Sequence, residues 1–96
     1  MKTYAGVVYT FDASVQLQDL IDGDIRYQLE TEQYEWLLQR DATGLGALKE
    51  IGGEPIYIFM TAPKKNGPPR LAISYRIVGQ PKLVEIMDIR VLPGSP

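Results

Sequence analysis

Three arginines and one aspartate lie in the segment of the sequence where apolar and polar residues alternate most regularly. This segment runs RLAISYRIVGQPKLVEIMDIRVLPG over residues 70–94. The four residues are Arg70, Arg76, Asp88 and Arg90. Arginine presents a planar fork of donors that fits a carboxylate or a phosphate. The stretch therefore suits either an anion-recognising surface or the solvated outer face of an ordinary β-hairpin, and the sequence leaves both interpretations open.

The hairpin register decides which of these arginines meet. A three-residue loop at 79–81 places Arg70 opposite Arg90, and like charges opposed in this way repel unless an anion or a carboxylate lies between them. This register is favoured because it collects most apolar side chains on one face. That face holds Leu71, Ile73, Tyr75, Ile77, Leu83, Met87, Ile89 and Val91. A four-residue loop would instead oppose Arg76 and Glu85 as a cross-strand ion pair.

Several kinds of chemistry are excluded by composition. The chain has no cysteine and no histidine, which removes thiol nucleophiles, the commonest metal ligand and the commonest general base at neutral pH. Serine–histidine catalysis and an ordinary zinc site are therefore excluded, and no cofactor or metal is expected. Whether the protein is an enzyme stays open at this stage.

The length of the chain predicts one domain spanning residues 1–96, and a flexible tail is expected at 93–96. The 96 residues carry a net charge of −2 from mixed signs, so nucleic acid is not expected as the main partner, because phosphate binding favours a basic surface. No apolar run has the length of a signal peptide or a membrane span. No membrane association and a cytoplasmic location are expected.

The N-terminal half predicts a strand followed by two helices. Residues 4–11 are rich in β-branched and aromatic types, which favours a strand. Asp12 and Asp24 can cap helices that follow them, the second running to about Arg40. A β-hairpin around Asp22-Gly23 stays open as an alternative, because residues 15–29 also alternate with a period of two.

The C-terminal half predicts three strands after a glycine-rich connector at residues 41–55. The strands are expected at 56–61, 70–78 and 82–92. The order of elements predicts an α+β fold with an N-terminal strand, a helical hairpin and then a three-stranded antiparallel sheet.

Two expectations concern the side chains of the second helix. Trp36 and the leucines of the helix are expected in the core. Glu30, Glu32 and Glu35 are expected on a solvated face, because carboxylates three or four residues apart on a helix repel one another.

The segments LKEIGGEPIYIFM, RLAISYRI and KLVEIMDIR, taken in this order, resemble the RelE/ParE toxin superfamily. The resemblance implies a first strand, a helical hairpin and a closing antiparallel sheet. It also implies that Leu48-Lys49, Arg70 and Tyr75 correspond to family positions, and that Arg90 stands where a basic residue often occurs.

In ribonuclease members of that family, positive side chains stabilise the charge on the phosphate, and a tyrosine or lysine moves protons. The resemblance thus implies a site for an anion or a partner. Its candidate residues are Arg70, Arg76, Arg90, Tyr75, Lys64 and Lys65. No catalytic residue is assigned among them.

Departures from the family pattern favour protein binding over RNA cleavage. Met60 stands where the family has an arginine, the tail LPGSP is not basic, and the overall charge is acidic. A gyrase-directed toxin or an inactive member fits better than a ribosome-dependent nuclease. Its partner would be an antitoxin or a target protein bound through the sheet face, and the hypothesis predicts growth arrest on induction.

An alternative function belongs to a different class. The chain would then be a non-enzymatic, homodimeric binding or assembly protein of phage or mobile-element type. Its interface would use the apolar strand at 56–60 and exposed aromatic side chains at Tyr27, Tyr34 and Trp36.

Overall fold

A computed structural model describes residues 4–93 of the chain. Two helices and five strands form in the order β1 (Val7–Tyr9), α1 (Phe11–Gly23), α2 (Arg26–Leu45), β2 (Ala47–Ile51), β3 (Glu54–Met60), β4 (Leu71–Val78) and β5 (Leu83–Val91). The α+β class and the helical hairpin are confirmed, so the strand interpretation of residues 15–29 is wrong. The tail expected at 93–96 falls outside the described residues from position 94 onward.

The sheet is larger than predicted. Its five strands lie in the order β1-β5-β4-β3-β2, with β1 parallel to β5 and every other pair antiparallel. The predicted three-stranded sheet omits β2, because its residues fall within the predicted connector at 41–55. The connector turns at Gly52 and Gly53, whose φ angles are 62° and 78°. Two such residues in a two-residue loop form the turn that matches the twist of a hairpin.

The loop between β4 and β5 has four residues, 79–82, and not three. Val78 pairs with Leu83, and Arg76 pairs with Glu85. The predicted three-residue loop is therefore wrong, and the alternative register is the one that forms. The loop contains a cis peptide bond between Gln80 and Pro81.

A β-bulge then shifts the same ladder by one residue. Tyr75 pairs with Ile86 but Ser74 pairs with Asp88, which leaves Met87 as the extra residue in β5. Because side chains alternate between the two faces of a sheet, every side chain beyond an extra residue points to the opposite face from the one it would otherwise occupy. The four-residue loop and the bulge together turn the buried side chains of both strands towards the helices. These are Leu71, Ile73, Tyr75, Val84, Ile86 and Ile89.

The helix α1 starts and packs through local contacts. The Thr10 hydroxyl accepts a hydrogen bond from the backbone N–H of Ala13 at 3.2 Å, so Thr10 caps the helix where Asp12 was expected to. β1 pairs with residues 84–86 of β5, and Gln16 of α1 covers the edge of β5 beyond them. The amide oxygen of Gln16 accepts a hydrogen bond from the backbone N–H of Ile89 at 2.9 Å. A covered edge is not open to pairing with another chain.

The helix α2 carries the tyrosines of the core. Tyr27, Tyr34, Leu38 and Ala42 are buried against the sheet. The helix bends at Asp41, whose backbone is not helical, and continues to Leu45, five residues beyond the predicted end. No helix in residues 4–93 is long and apolar enough to cross a membrane.

Candidate functional site

The predicted arginines do not form one cluster. Arg90 lies opposite Ala72, and Arg76 lies four residues further along β4, a separation of about 13 Å along a strand. The Arg70 Nε donates to the carbonyl oxygen of Thr61 at 2.8 Å, which directs this side chain towards the β3 side of the sheet. The expected opposition of Arg70 and Arg90 does not occur, because the four-residue loop moves the pairing by one residue and the bulge moves it by one more.

Two of these arginines are matched by carboxylates. Arg76 forms ion pairs with Glu85 at 2.6 Å and with Glu54 on β3, and these contacts raise the pKa of Arg76. Arg90 pairs with Asp88 at 2.8 Å. The charges of Arg76 and Arg90 are thus already matched within the sheet.

Tyr75 lies on the opposite face of the sheet from Arg76. Tyr75 is buried, and its ring stacks on that of Tyr57 with 5.6 Å between the ring centroids. Its hydroxyl donates a hydrogen bond to the carbonyl oxygen of Ala42 at 2.5 Å. Burial raises the pKa of Tyr75 well above its ordinary value. The geometry thus gives this phenol a structural role and separates it from the arginines.

A second tyrosine network joins β1 to α2. The Tyr9 hydroxyl donates to a carboxylate oxygen of Glu35 at 2.5 Å and lies 2.8 Å from the Tyr34 hydroxyl. Burial raises the pKa of Tyr9 strongly, and raises the pKa of Tyr34 to about 12. Glu35 was expected in solvent, but Tyr9 draws its carboxylate into this half-buried contact.

Lys64 and Lys65 lie in the loop between β3 and β4. The Lys64 ammonium group pairs with Glu30 at 2.9 Å and also contacts the Gln33 side chain. Glu30 is buried, so the expectation of a solvated Glu30 is wrong. An unpaired carboxylate at this place would be costly to bury, and Lys64 supplies the missing charge.

An apolar depression, the α2 groove, follows the outer side of α2 beside this loop. Its lining includes Leu29, Gln33, Trp36, Leu37, Met60 and Lys64, together with the carboxylates of Glu30 and Glu32. Three large apolar side chains in it stay in contact with solvent, since Leu29 is 60% exposed, Trp36 57% and Met60 53%. The part beside Trp36 encloses about 460 Å³. The expectation that Trp36 and these leucines belong to the core is wrong.

Basic side chains surround the α2 groove. The Arg40 guanidinium lies over the Trp36 ring at 4.1 Å from its centroid, and Arg26, Lys64 and Lys65 line the other end. Within residues 4–93 neither Arg40 nor Lys65 makes an ion pair. The groove therefore combines exposed apolar surface with the charges of Arg40 and Lys65, which make no ion pair in the described chain, and with the exposed carboxylate of Glu32.

The aromatic residues of α2 separate into two sets. Tyr27 and Tyr34 were expected at an exposed interface together with Trp36, but both are buried. Each hydroxyl has a partner, because Tyr27 donates to the carbonyl oxygen of Pro69 at 2.9 Å and Tyr34 contacts Tyr9. A buried tyrosine with a satisfied hydroxyl is compatible with a core, so only Trp36 remains at the surface.

No metal site forms in the described part of the chain, where no group of three or more acidic side chains comes together. Comparison with known proteins found no matching family model, no matching curated protein and no matching solved structure. The RelE/ParE resemblance thus remains a prediction from the sequence.

Proposed function

We propose that this chain is a partner-binding module with RelE/ParE-like organisation, which holds an antitoxin or target protein and does not cleave RNA. The order of a strand, a helical hairpin and antiparallel strands supports the organisation. The single observation that carries the binding function is the α2 groove, where apolar side chains are exposed beside the charges of Arg40 and Lys65, which are unpaired within residues 4–93.

The dispersed arginines support binding over catalysis. Stabilising a phosphate in a transition state requires several positive groups directed at one position. Arg76 and Arg90 instead contact Glu54, Glu85 and Asp88, and Tyr75 is buried on the other side of the sheet.

The composition of the groove indicates the chemistry of the partner. An amphipathic helix buries an apolar face in such a groove and presents its polar residues to the rim. The uncommitted charges of Arg40 and Lys65 favour acidic residues at that rim, since opposite charges steer association and set orientation. The partner segment is therefore an acidic amphipathic helix.

Trp36 is the single tryptophan of the chain, so its fluorescence reports directly on the groove. The test titrates the intact protein with a helical peptide that has leucine at helical spacing and glutamate between the leucines. We expect the emission of Trp36 to move to shorter wavelength as the ring is covered.

A matched peptide with lysine in place of glutamate is the control, and it should bind more weakly. Equal binding of the two peptides would contradict the preference of Arg40 and Lys65 for an acidic partner. No change in Trp36 emission with either peptide would contradict the proposed function.

A second candidate function is self-association, as expected for a homodimeric assembly protein. Phe11 is 81% exposed and Ile25 is 68% exposed, and both lie outside the lining of the α2 groove. Val15, one helical turn from Phe11, is 45% exposed, and contiguous exposed apolar side chains of this kind mark contact surfaces. This candidate predicts a dimer mass by light scattering that Phe11→Ser reduces to that of a monomer, and a monomer mass for the unchanged chain would rule it out.

A further inference from the structure

A second depression, the tyrosine cleft, shares no residue with the α2 groove. It lies between the end of α2, the N-terminal segment and the turn that joins β4 to β5. Its lining residues are Tyr4, Thr43, Tyr57, Ile77, Gln80, Pro81 and Lys82. It encloses about 560 Å³, which falls within the range of small-molecule sites, about 300–1,000 Å³.

Tyr57, which lines the base of the tyrosine cleft, packs against the buried core residue Tyr75. Tyr57 stacks on Tyr75 with 12° between the ring planes, and the Tyr75 hydroxyl is bonded to the end of α2 at Ala42. Gly46 permits this approach, because a Cβ atom there would lie 2.2 Å from the Tyr75 hydroxyl oxygen. The Tyr57 ring therefore forms a supported aromatic surface in the cleft.

The walls of the cleft are tied together by backbone hydrogen bonds. The N–H of Tyr4 donates to the carbonyl oxygen of Gln39 at 2.8 Å, which joins the N-terminal segment to α2. The N–H of Ala5 donates to the carbonyl oxygen of Lys82 at 2.9 Å, which joins the same segment to the β4–β5 turn. The cleft is thus formed before any ligand enters, which lowers the entropic cost of binding.

The polar groups of the cleft point to an anion. Lys82 is exposed and makes no ion pair within residues 4–93. Thr43 and Gln80 add a hydroxyl and an amide that can accept or donate hydrogen bonds. No acidic side chain lines the cleft, so the positive charge of Lys82 is not neutralised there.

We propose that the tyrosine cleft binds a small molecule with a planar aromatic ring and an anionic group. The ring packs against Tyr57 and Ile77, and the anion pairs with the Lys82 ammonium group. Aromatic contact and a charge-assisted hydrogen bond act on different parts of the ligand, so together they fix its orientation. This site is independent of the partner bound in the α2 groove.

The experiment titrates the intact, isotope-labelled protein with three naphthalene compounds and follows backbone amide chemical shifts by NMR. The compounds are 2-naphthoate, 2-naphthyl phosphate and the neutral 2-naphthylmethanol. We expect one or both anions to shift the amides of Tyr57, Ile77 and Lys82 in a saturable way, and the two anionic arms distinguish a carboxylate ligand from a phosphate ligand. The neutral compound should bind about tenfold more weakly.

Lys82→Gln is the decisive variant, and Lys65→Gln, at the α2 groove, is its matched control. Both lysines are exposed, so both variants should keep the fold. Lys82→Gln should weaken binding of the anions by about threefold and leave binding of the neutral compound unaffected, and Lys65→Gln should change neither. The proposal is overturned if neither anion shifts these amides, or if Lys82→Gln leaves anion binding unchanged.

Discussion

At the residue scale, hydrogen bonding decides which aromatic side chains are inside. Tyr9, Tyr34 and Tyr75 all direct their hydroxyls to a partner within the fold. Hydropathy alone would favour Trp36 for the interior, yet the tyrosines occupy it because their partners remove the cost of burying a hydroxyl. Tyr34 and Trp36 both lie in the helical segment of the sequence, so the sequence pattern could not identify Trp36 as the exposed member.

The buried tyrosines predict a loss of stability at alkaline pH. Burial raises the pKa of Tyr9, Tyr34 and Tyr75 above the ordinary value of 10.0. Their contribution to stability is fully present below pH 10 and is lost as pH rises, because the unfolded state releases protons that the folded state keeps. The free energy of unfolding measured in urea should be level from pH 7 to 9 and fall above pH 10.

Tyr75→Phe tests the same argument in one side chain. The variant should unfold more easily at neutral pH by about 1 kcal/mol, since it loses the hydrogen bond to Ala42, and its stability should fall less steeply above pH 10. Ultraviolet absorbance of tyrosinate gives the second measurement. Ionisation of all six tyrosines near pH 10 in the folded protein would contradict the burial of Tyr9, Tyr34 and Tyr75.

At the element scale, the strands and helices followed from local patterns but their register did not. The helical hairpin, β3, β4 and β5 were predictable from periodicity and turn residues. The β2–β3 hairpin had a local signal as well, because Gly52-Gly53 separates two strand-forming segments. The bulge at Met87 had none, since it depends on how α1 and β1 meet the edge of β5. The four-residue loop and this bulge each move the register by one residue, so the predicted pairing of Arg70 with Arg90 is wrong.

The β2–β3 turn makes a prediction that glycine substitutions can check. Gly52→Ala should lower the free energy of unfolding by about 1–2 kcal/mol, because its φ of 62° is unfavourable for a residue with a Cβ atom. Gly52→Asn should cost less, since asparagine tolerates this region. Gly23→Ala is the control and should be neutral or stabilising, because Gly23 ends α1 with open space around it. Equal effects at positions 52 and 23 in urea denaturation would contradict the assigned turn.

At the scale of the whole molecule, the two faces of the sheet have different roles. One face carries the helices and the core, and the other carries Arg76 and Arg90 with their matching carboxylates. The surface suited to a partner is a third one, along α2, where Trp36 and Leu29 are exposed beside Lys64 and Lys65. The sequence pointed to these two lysines, but the groove itself depends on the tertiary packing of the 61–70 loop against α2.

The most direct test compares groove and sheet variants in the titration of Trp36 fluorescence with the glutamate peptide. Leu29→Ala should weaken binding by about tenfold and Lys65→Gln by about threefold. Arg90→Gln, which removes an exposed charge from the sheet, should leave the affinity unchanged. Loss of affinity in Arg90→Gln with unchanged binding in the two groove variants would place the partner on the sheet and contradict this account.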